Sequence, residues 1–240
     1  MTWTHPSLSV NFRKSVSSCV VCAMSGSERR SFAGPLRPVT EPGAHWYMDV
    51  WGPAEHPSLL YQNAYMVGLK DAATKYLLLY FVRNKSMVLD CVKDLYERVI
   101  VKRRVSYKLT DFVVQSDNGE FKSESVLKFL LSVGGNRLTC CAYSPETQSA
   151  IERIWGILHN MSSAMLIGKK LSEPYWQFAS DYACEIYNNI PPSHTPKGEC
   201  HRTPHEKFYG IKHDCSMLKV FGCRAFAYID KKRRRKNHNP

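Results

Sequence analysis

Tyr143-Ser144-Pro145-Glu146-Thr147-Gln148-Ser149-Ala150-Ile151-Glu152-Arg153-Ile154-Trp155 joins a helix start to an apolar stripe and sets one carboxylate beside that stripe. Ser144 belongs to the residue types that cap helices, and Pro145 fits a first turn, where its missing N–H is not needed. Ile151, Ile154, Trp155, Leu158 and Met165 then recur at helical spacing, which predicts an amphipathic helix with a buried stripe. Glu152 falls at the border of that stripe, squarely facing neither core nor water. Alone it reads as a surface glutamate, because acidic side chains sit outside unless something pairs with them.

Two aspartates upstream change that reading. In Trp46-Tyr47-Met48-Asp49-Val50-Trp51, strand alternation puts Trp46, Met48 and Val50 on one face and Tyr47, Asp49 and Trp51 on the other, before Gly52-Pro53 ends the run. A carboxylate enclosed in so aromatic a strand costs on the order of several kcal/mol unless it meets a hydrogen-bond partner, a cation or solvent. Asp49 is therefore either a cap on the turn that follows or a ligand. Phe112-Val113-Val114-Gln115-Ser116 is a short strand that delivers Asp117 into Asn118-Gly119, either as a turn residue or as a carboxylate at a strand's C-terminal end, where α/β folds place ligand-binding groups.

Between and after these lie further elements. Strands are predicted at Ala64 to Leu69 and Lys75 to Val82, joined through Asp71-Ala72-Ala73-Thr74. A helix capped by Ser86 is predicted to about Lys102, with Val88, Cys91, Val92, Leu95 and Val99 inward. Ser123 or Glu124 opens a helix through Leu131 that ends at Gly134-Gly135, and Leu138 to Ala142 reads as a strand. Past Ser172-Glu173-Pro174, a helix carries Trp176, Phe178, Ala179, Tyr182, Ala183, Ile186 and Tyr187 and stops at Pro191-Pro192. Val220 to Tyr228 reads as a last strand. His201 and His205 have the spacing of a zinc pair, but Pro204 lies between them and the surrounding cysteines fit no common zinc module.

The chain divides into residues 1–30, holding Cys19-Val20-Val21-Cys22; a Gly/Pro-rich linker, 31–43; a core, 44–190; an extension, 191–230; and a basic tail, 231–240. Thirty-three Lys and Arg against 21 Asp and Glu give a net charge of +12, and the run Lys231-Lys232-Arg233-Arg234-Arg235-Lys236 carries half of it. Such a balance favours a polyanionic partner, and the run itself reads as a solvated tail, an import signal or a nucleic-acid contact. Nine cysteines, an odd number in a chain without a secretory signal at its start, argue against a disulfide framework and for a reducing compartment. Apolar runs such as Tyr76 to Val82 are strand-length, so no membrane partner is expected.

Five segments in this order resemble the integrase region of copia-type retrotransposon polyproteins: His45 to Pro53, Gln115 to Phe121, Tyr143-Ser144-Pro145 through Glu152-Arg153, Thr203-Pro204-His205-Glu206, and Val220 to Cys223. The resemblance implies an α/β, ribonuclease H-like core, a mixed sheet flanked by helices, in which Asp49, Asp117 and Glu152 are the catalytic carboxylates that hold two divalent metals. It implies that Cys19 and Cys22 are the Cys half of an amino-terminal zinc module whose histidines are missing here. Thirty-four residues separate Asp117 from Glu152, one fewer than in the family pattern, and Gln148-Ser149 stands where the family has Asn-Gly. The activity implied is metal-dependent end processing and strand transfer on double-stranded DNA, both element ends and target. A homo-oligomer is implied because two ends are joined together, with a nuclear location or a cytoplasmic particle before import. The chemistry agrees: two metals roughly 3.5–4 Å apart can clamp attacking and leaving oxygens, and hard oxygen ligands favour Mg²⁺ or Mn²⁺. The alternatives are a decayed or co-opted DNA-binding remnant without turnover, and a plain nuclease that cuts but never joins.

Overall fold

The structure is a computed structural model describing residues 39–116, 123–139, 145–192, 201–228 and 230, the side chains of residues 107, 145–150 and 152 excepted. Three strands come first: β1 (His45–Trp51), β2 (Tyr65–Asp71) and β3 (Leu77–Val82). A 3-10 turn (Lys85–Met87) then leads into α1 (Val88–Leu95), a π-helical turn (Tyr96–Ile100) and α2 (Val101–Tyr107). β4 (Phe112–Ser116), α3 (Glu124–Ser132), β5 (Gly135–Thr139) and α4 (Pro145–Lys169) alternate after that. A 3-10 turn at Glu173–Tyr175 opens α5 (Trp176–Asn189), and the short α6 (Pro204–Tyr209) follows. No helix among the described residues is long and apolar enough to cross a membrane.

The strands form one mixed sheet in the order β3-β2-β1-β4-β5. β1 pairs antiparallel with β2 and parallel with β4, so the strand that carries Asp49 lies at its centre. Alternation along β1 works as read from the sequence: Trp46 and Met48 are buried in a cluster with Val67, Leu69, Phe112 and Val114, facing α1 and α3. The opposite face packs Leu77 against Ile154 and Leu158 of α4 and Ala183 and Cys184 of α5. Fully burying one such aliphatic side chain is worth about 1.5–3 kcal/mol, so two opposed clusters fix which face each helix covers. The result is a three-layer α/β/α arrangement.

The expected β2–β3 turn encloses a carboxylate. Asp71 is fully buried and accepts bonds from the Gly43 N–H (2.7 Å), the Thr74 N–H (2.8 Å) and the Thr74 hydroxyl (2.7 Å). Burial pushes its pKa up, opposed by these bonds and by the charge of Arg103, whose guanidinium lies 4.0 Å over the Phe208 ring.

Four expectations need correction. Asn84, not Ser86, occupies the N-cap before the 3-10 turn, and the Ser86 hydroxyl donates to the Asn84 side chain. The helix beyond runs past Lys102 to Tyr107, because the π turn shifts its register and keeps Val99, Ile100 and Arg103 all buried. β5 starts at Gly135 rather than Leu138, since its pairing with β4 begins at Phe112↔Gly135, where a Cβ would lie 2.5 Å from the Phe112 ring; residues 140–142 fall outside the described set. Val220 to Tyr228 is not a strand. Its alternation meets no strand edge among the described residues, and Val220, Phe226 and Tyr228 are exposed.

Candidate active site

Asp49 sits on the sheet face that α4 covers, opposite Gly68 of β2. The carboxylate is half-buried. Its Oδ1 accepts the Val50 N–H at 2.8 Å, and its Oδ2 accepts the indole N–H of Trp155 at 2.7 Å. Trp155 belongs to α4, one turn beyond Glu152. A charge-assisted hydrogen bond therefore ties the central strand to the helix on which Glu152 lies.

The indole reaches Asp49 because Gly68 leaves room for it. A Cβ on Gly68 would stand 2.8 Å from Trp155 Cη2 and 3.1 Å from Cζ2, closer than carbon atoms approach without displacement. Glycine inside a strand weakens it, and one frequent reason for keeping it there is close approach of another group. Just past β1, at the end of the same β1–β2 ladder, Gly52 has a φ of 121° and a would-be Cβ 2.6 Å from the Ala64 carbonyl oxygen, which excludes other residues.

Lys70, two residues along β2 from Gly68, is 9 % exposed, and burial together with the charges of Lys75 and Arg153 pushes its pKa down to about 8. On β4, the Gln115 side chain meets His45 Nε2 at 2.7 Å; burial lowers the His45 pKa, and that bond partly offsets the effect. Gln115 is opposite Tyr47 in the parallel pairing, and β4 ends at Ser116, immediately before Asp117 in sequence.

Of the residues singled out from sequence, Asp49 is described in full and Glu152 is placed on α4 without its side chain. Asp117, Cys19, Cys22 and the run Lys231, Lys232, Arg233, Arg234, Arg235 and Lys236 lie outside the described residues. Among the described residues no three His, Cys, Asp or Glu side chains gather where a metal could be held. The donor chemistry itself, carboxylate oxygens on one half-buried strand and one helix, is of the kind hard divalent cations take. Thr203-Pro204-His205-Glu206 has a structural role: Thr203 and Glu206 form a reciprocal capping box at the start of α6. His205 packs its ring against Tyr76, Tyr209 and His213.

Sequence reasoning took Trp155 as a member of the buried stripe and passed over Gly68. Ile151, Ile154 and Leu158 are buried as expected, whereas Trp155 is only half-buried and spends its N–H on Asp49. The available signal was a glycine in the middle of an apolar strand, paired with an aromatic residue one turn after the carboxylate.

The chain is 28% identical over 215 residues to the retrovirus-related Pol polyprotein from transposon RE2 of Arabidopsis thaliana, covering 88% of this chain. It is 30% identical over 191 residues to the Pol polyprotein from transposon TNT 1-94 of Nicotiana tabacum, covering 79% of this chain. The chain is related to copia-type Pol polyproteins. It spans 14% of the length of each of these relatives. No family model matches the sequence. Among solved structures, a chain of the simian T-cell lymphotropic virus intasome in complex with PP2A regulatory subunit B56 gamma superposes with a TM-score of 0.62 at 14% identity. That match covers 92% of this Pol-related chain and 72% of the other. The catalytic core domain of BIV integrase aligns over 70% of this chain and 95% of its own, at 18% identity and a TM-score of 0.47. The first likeness establishes a shared fold, ribonuclease H-like, for the Pol-related chain.

Proposed function

We propose that this chain is the catalytic core of a DNA-joining enzyme of the integrase type, which processes the ends of an element's DNA and joins the new 3′ hydroxyls to target phosphodiesters. The observation that carries the reading is the Trp155–Asp49 bond, which couples the central strand of a ribonuclease H-like sheet to the helix bearing Glu152. Kinship to transposon Pol polyproteins supports it. In this reading Asp49, Asp117 and Glu152 hold two Mg²⁺ or Mn²⁺ ions, which supply an activated oxygen nucleophile and charge neutralisation at the phosphate. Asp49 acts as a ligand, and no covalent enzyme intermediate is needed. Lys70 and Arg153 add positive charge near the site that favours a polyanionic substrate. The tail Lys231 to Lys236 contributes non-specific affinity; deleting it lowers the salt slope of duplex binding by at most about 0.9 per lysine or arginine removed. Cys19 and Cys22 supply half of a zinc site.

Oligonucleotides that mimic element ends, incubated with a target duplex and Mg²⁺ or Mn²⁺, test the reading. Joined products from the wild-type chain and none from Asp117→Asn support it. Salt-dependent DNA binding that Asp117→Asn leaves unchanged, without metal-dependent cutting or joining, selects the DNA-binding remnant. The shortened Asp117–Glu152 spacing and Gln148-Ser149 favour that second reading. Degradation of duplex without joining selects a plain nuclease.

A further inference from the structure

The geometry points to Trp155 as a positioning residue for the Asp49 carboxylate: its indole N–H, carried on the helix that bears Glu152, fixes the carboxylate plane. This rests on the proposed metal-dependent reading and adds to it the device that orients one ligand.

Four observations converge. The N–H to Oδ2 distance of 2.7 Å is in the range of a charge-assisted bond, stronger than one between neutral groups. Oδ1 is held separately by the Val50 N–H, so the two oxygens are distinguished and rotation about the Cβ–Cγ bond is opposed at both ends. Gly68, directly opposite Asp49, is the only residue type that lets the ring lie where it does, since any Cβ would strike it at 2.8 Å. Finally, α4 does not need this bond for packing: Ile154 and Leu158, fully enclosed with Leu77, Ala183 and Cys184, already seat the helix on the sheet. A residue that donates to a metal-binding carboxylate from outside the coordination sphere orients it, and loss of such a donor costs 10–100-fold in metal affinity in other proteins.

The test separates the hydrogen bond from the ring. Replacing the Trp155 indole by benzothiophene exchanges the N–H for sulfur and keeps the shape; Trp155→Phe removes both the N–H and part of the ring. In the metal-free protein, the Trp155 indole ¹⁵N–¹H resonance is expected to move upfield in Asp49→Ala, and an unmoved resonance overturns the contact. Mn²⁺ alone is then titrated calorimetrically. The benzothiophene protein is expected to unfold at nearly the wild-type temperature without metal and to bind Mn²⁺ about 10–100-fold more weakly, with Trp155→Phe at least as weak. Equal Mn²⁺ affinity in wild type and the benzothiophene protein overturns the positioning role and leaves the metal reading standing. A collapse of metal-free stability in the benzothiophene protein overturns it in favour of a purely structural bond. Absence of any Mn²⁺ binding by wild type overturns the metal reading, and the positioning role falls with it.

Discussion

Asp49 and Asp71 belong to one antiparallel ladder, Asp71 at its end and Asp49 within it, yet their surroundings differ in kind. Asp71 pairs across from Trp46, is fully enclosed, and receives two hydrogen bonds from Thr74 in the turn that follows it and one from the Gly43 N–H. Asp49 pairs across from Gly68, stays half-exposed on the opposite face, and receives a side-chain bond from a helix 106 positions away in sequence. A carboxylate enclosed by its own turn and one further backbone N–H closes a structure. One bonded across layers, beside a glycine that cedes space to the donor, is placed for something other than stability.

The strongest test of this contrast is Asp71→Ala. It leaves the Gly43 and Thr74 donors and the Arg103 charge without their buried acceptor, and is expected to cost roughly 3–5 kcal/mol in urea unfolding. A loss under about 1 kcal/mol would break the comparison by making Asp71 as dispensable as a surface acid. Gly68→Ala comes next: a methyl group 2.8 Å from the Trp155 ring forces the indole or the strand to move, at about 1–3 kcal/mol. An unchanged midpoint would mean that the ring does not lie over Gly68.

Lys70 supplies a smaller, pH-dependent effect on the Asp49 face. Its folded pKa, about 8, is below the ordinary value of 10.5, so between those values the unfolded chain holds a proton that the native protein has released. Its contribution to stability therefore rises with pH across that window, and the burial penalty is fully present below pH 8. Lys70→Met removes the penalty, so the variant's advantage over wild type in urea unfolding shrinks from pH 7.5 to pH 10. Parallel curves would contradict the burial of a charged ammonium.

Much of the layout was legible in the sequence. The order of strands and helices, the inward face of β1 and the stripes of α1 and α4 follow from periodicity, because each residue's neighbours along the chain decide them. What stayed hidden depends on registry between distant segments. Nothing near Trp155 announces that its N–H meets Asp49, and nothing near Asp71 distinguishes a closed turn from a ligand. The strand expected at Val220 to Tyr228 failed for the related reason that alternation specifies a face but not a partner edge. Asp49 was found as a residue needing a partner; which partner was beyond reach.

The last test is also the most telling. Asp49→Asn keeps one acceptor oxygen for the two N–H groups of Val50 and Trp155 and turns its NH2 toward one of them, so without metal it is expected to cost roughly 1 kcal/mol. Thermal unfolding of wild type and Asp49→Asn across a Mn²⁺ titration then tests the central claim. A ligand at a hundred times its dissociation constant stabilises the native state by about 2.7 kcal/mol, so the wild-type midpoint should climb with Mn²⁺ while that of Asp49→Asn stays flat. Equal rises in both proteins, or none in wild type, would contradict the assignment of Asp49 to a metal-dependent active site.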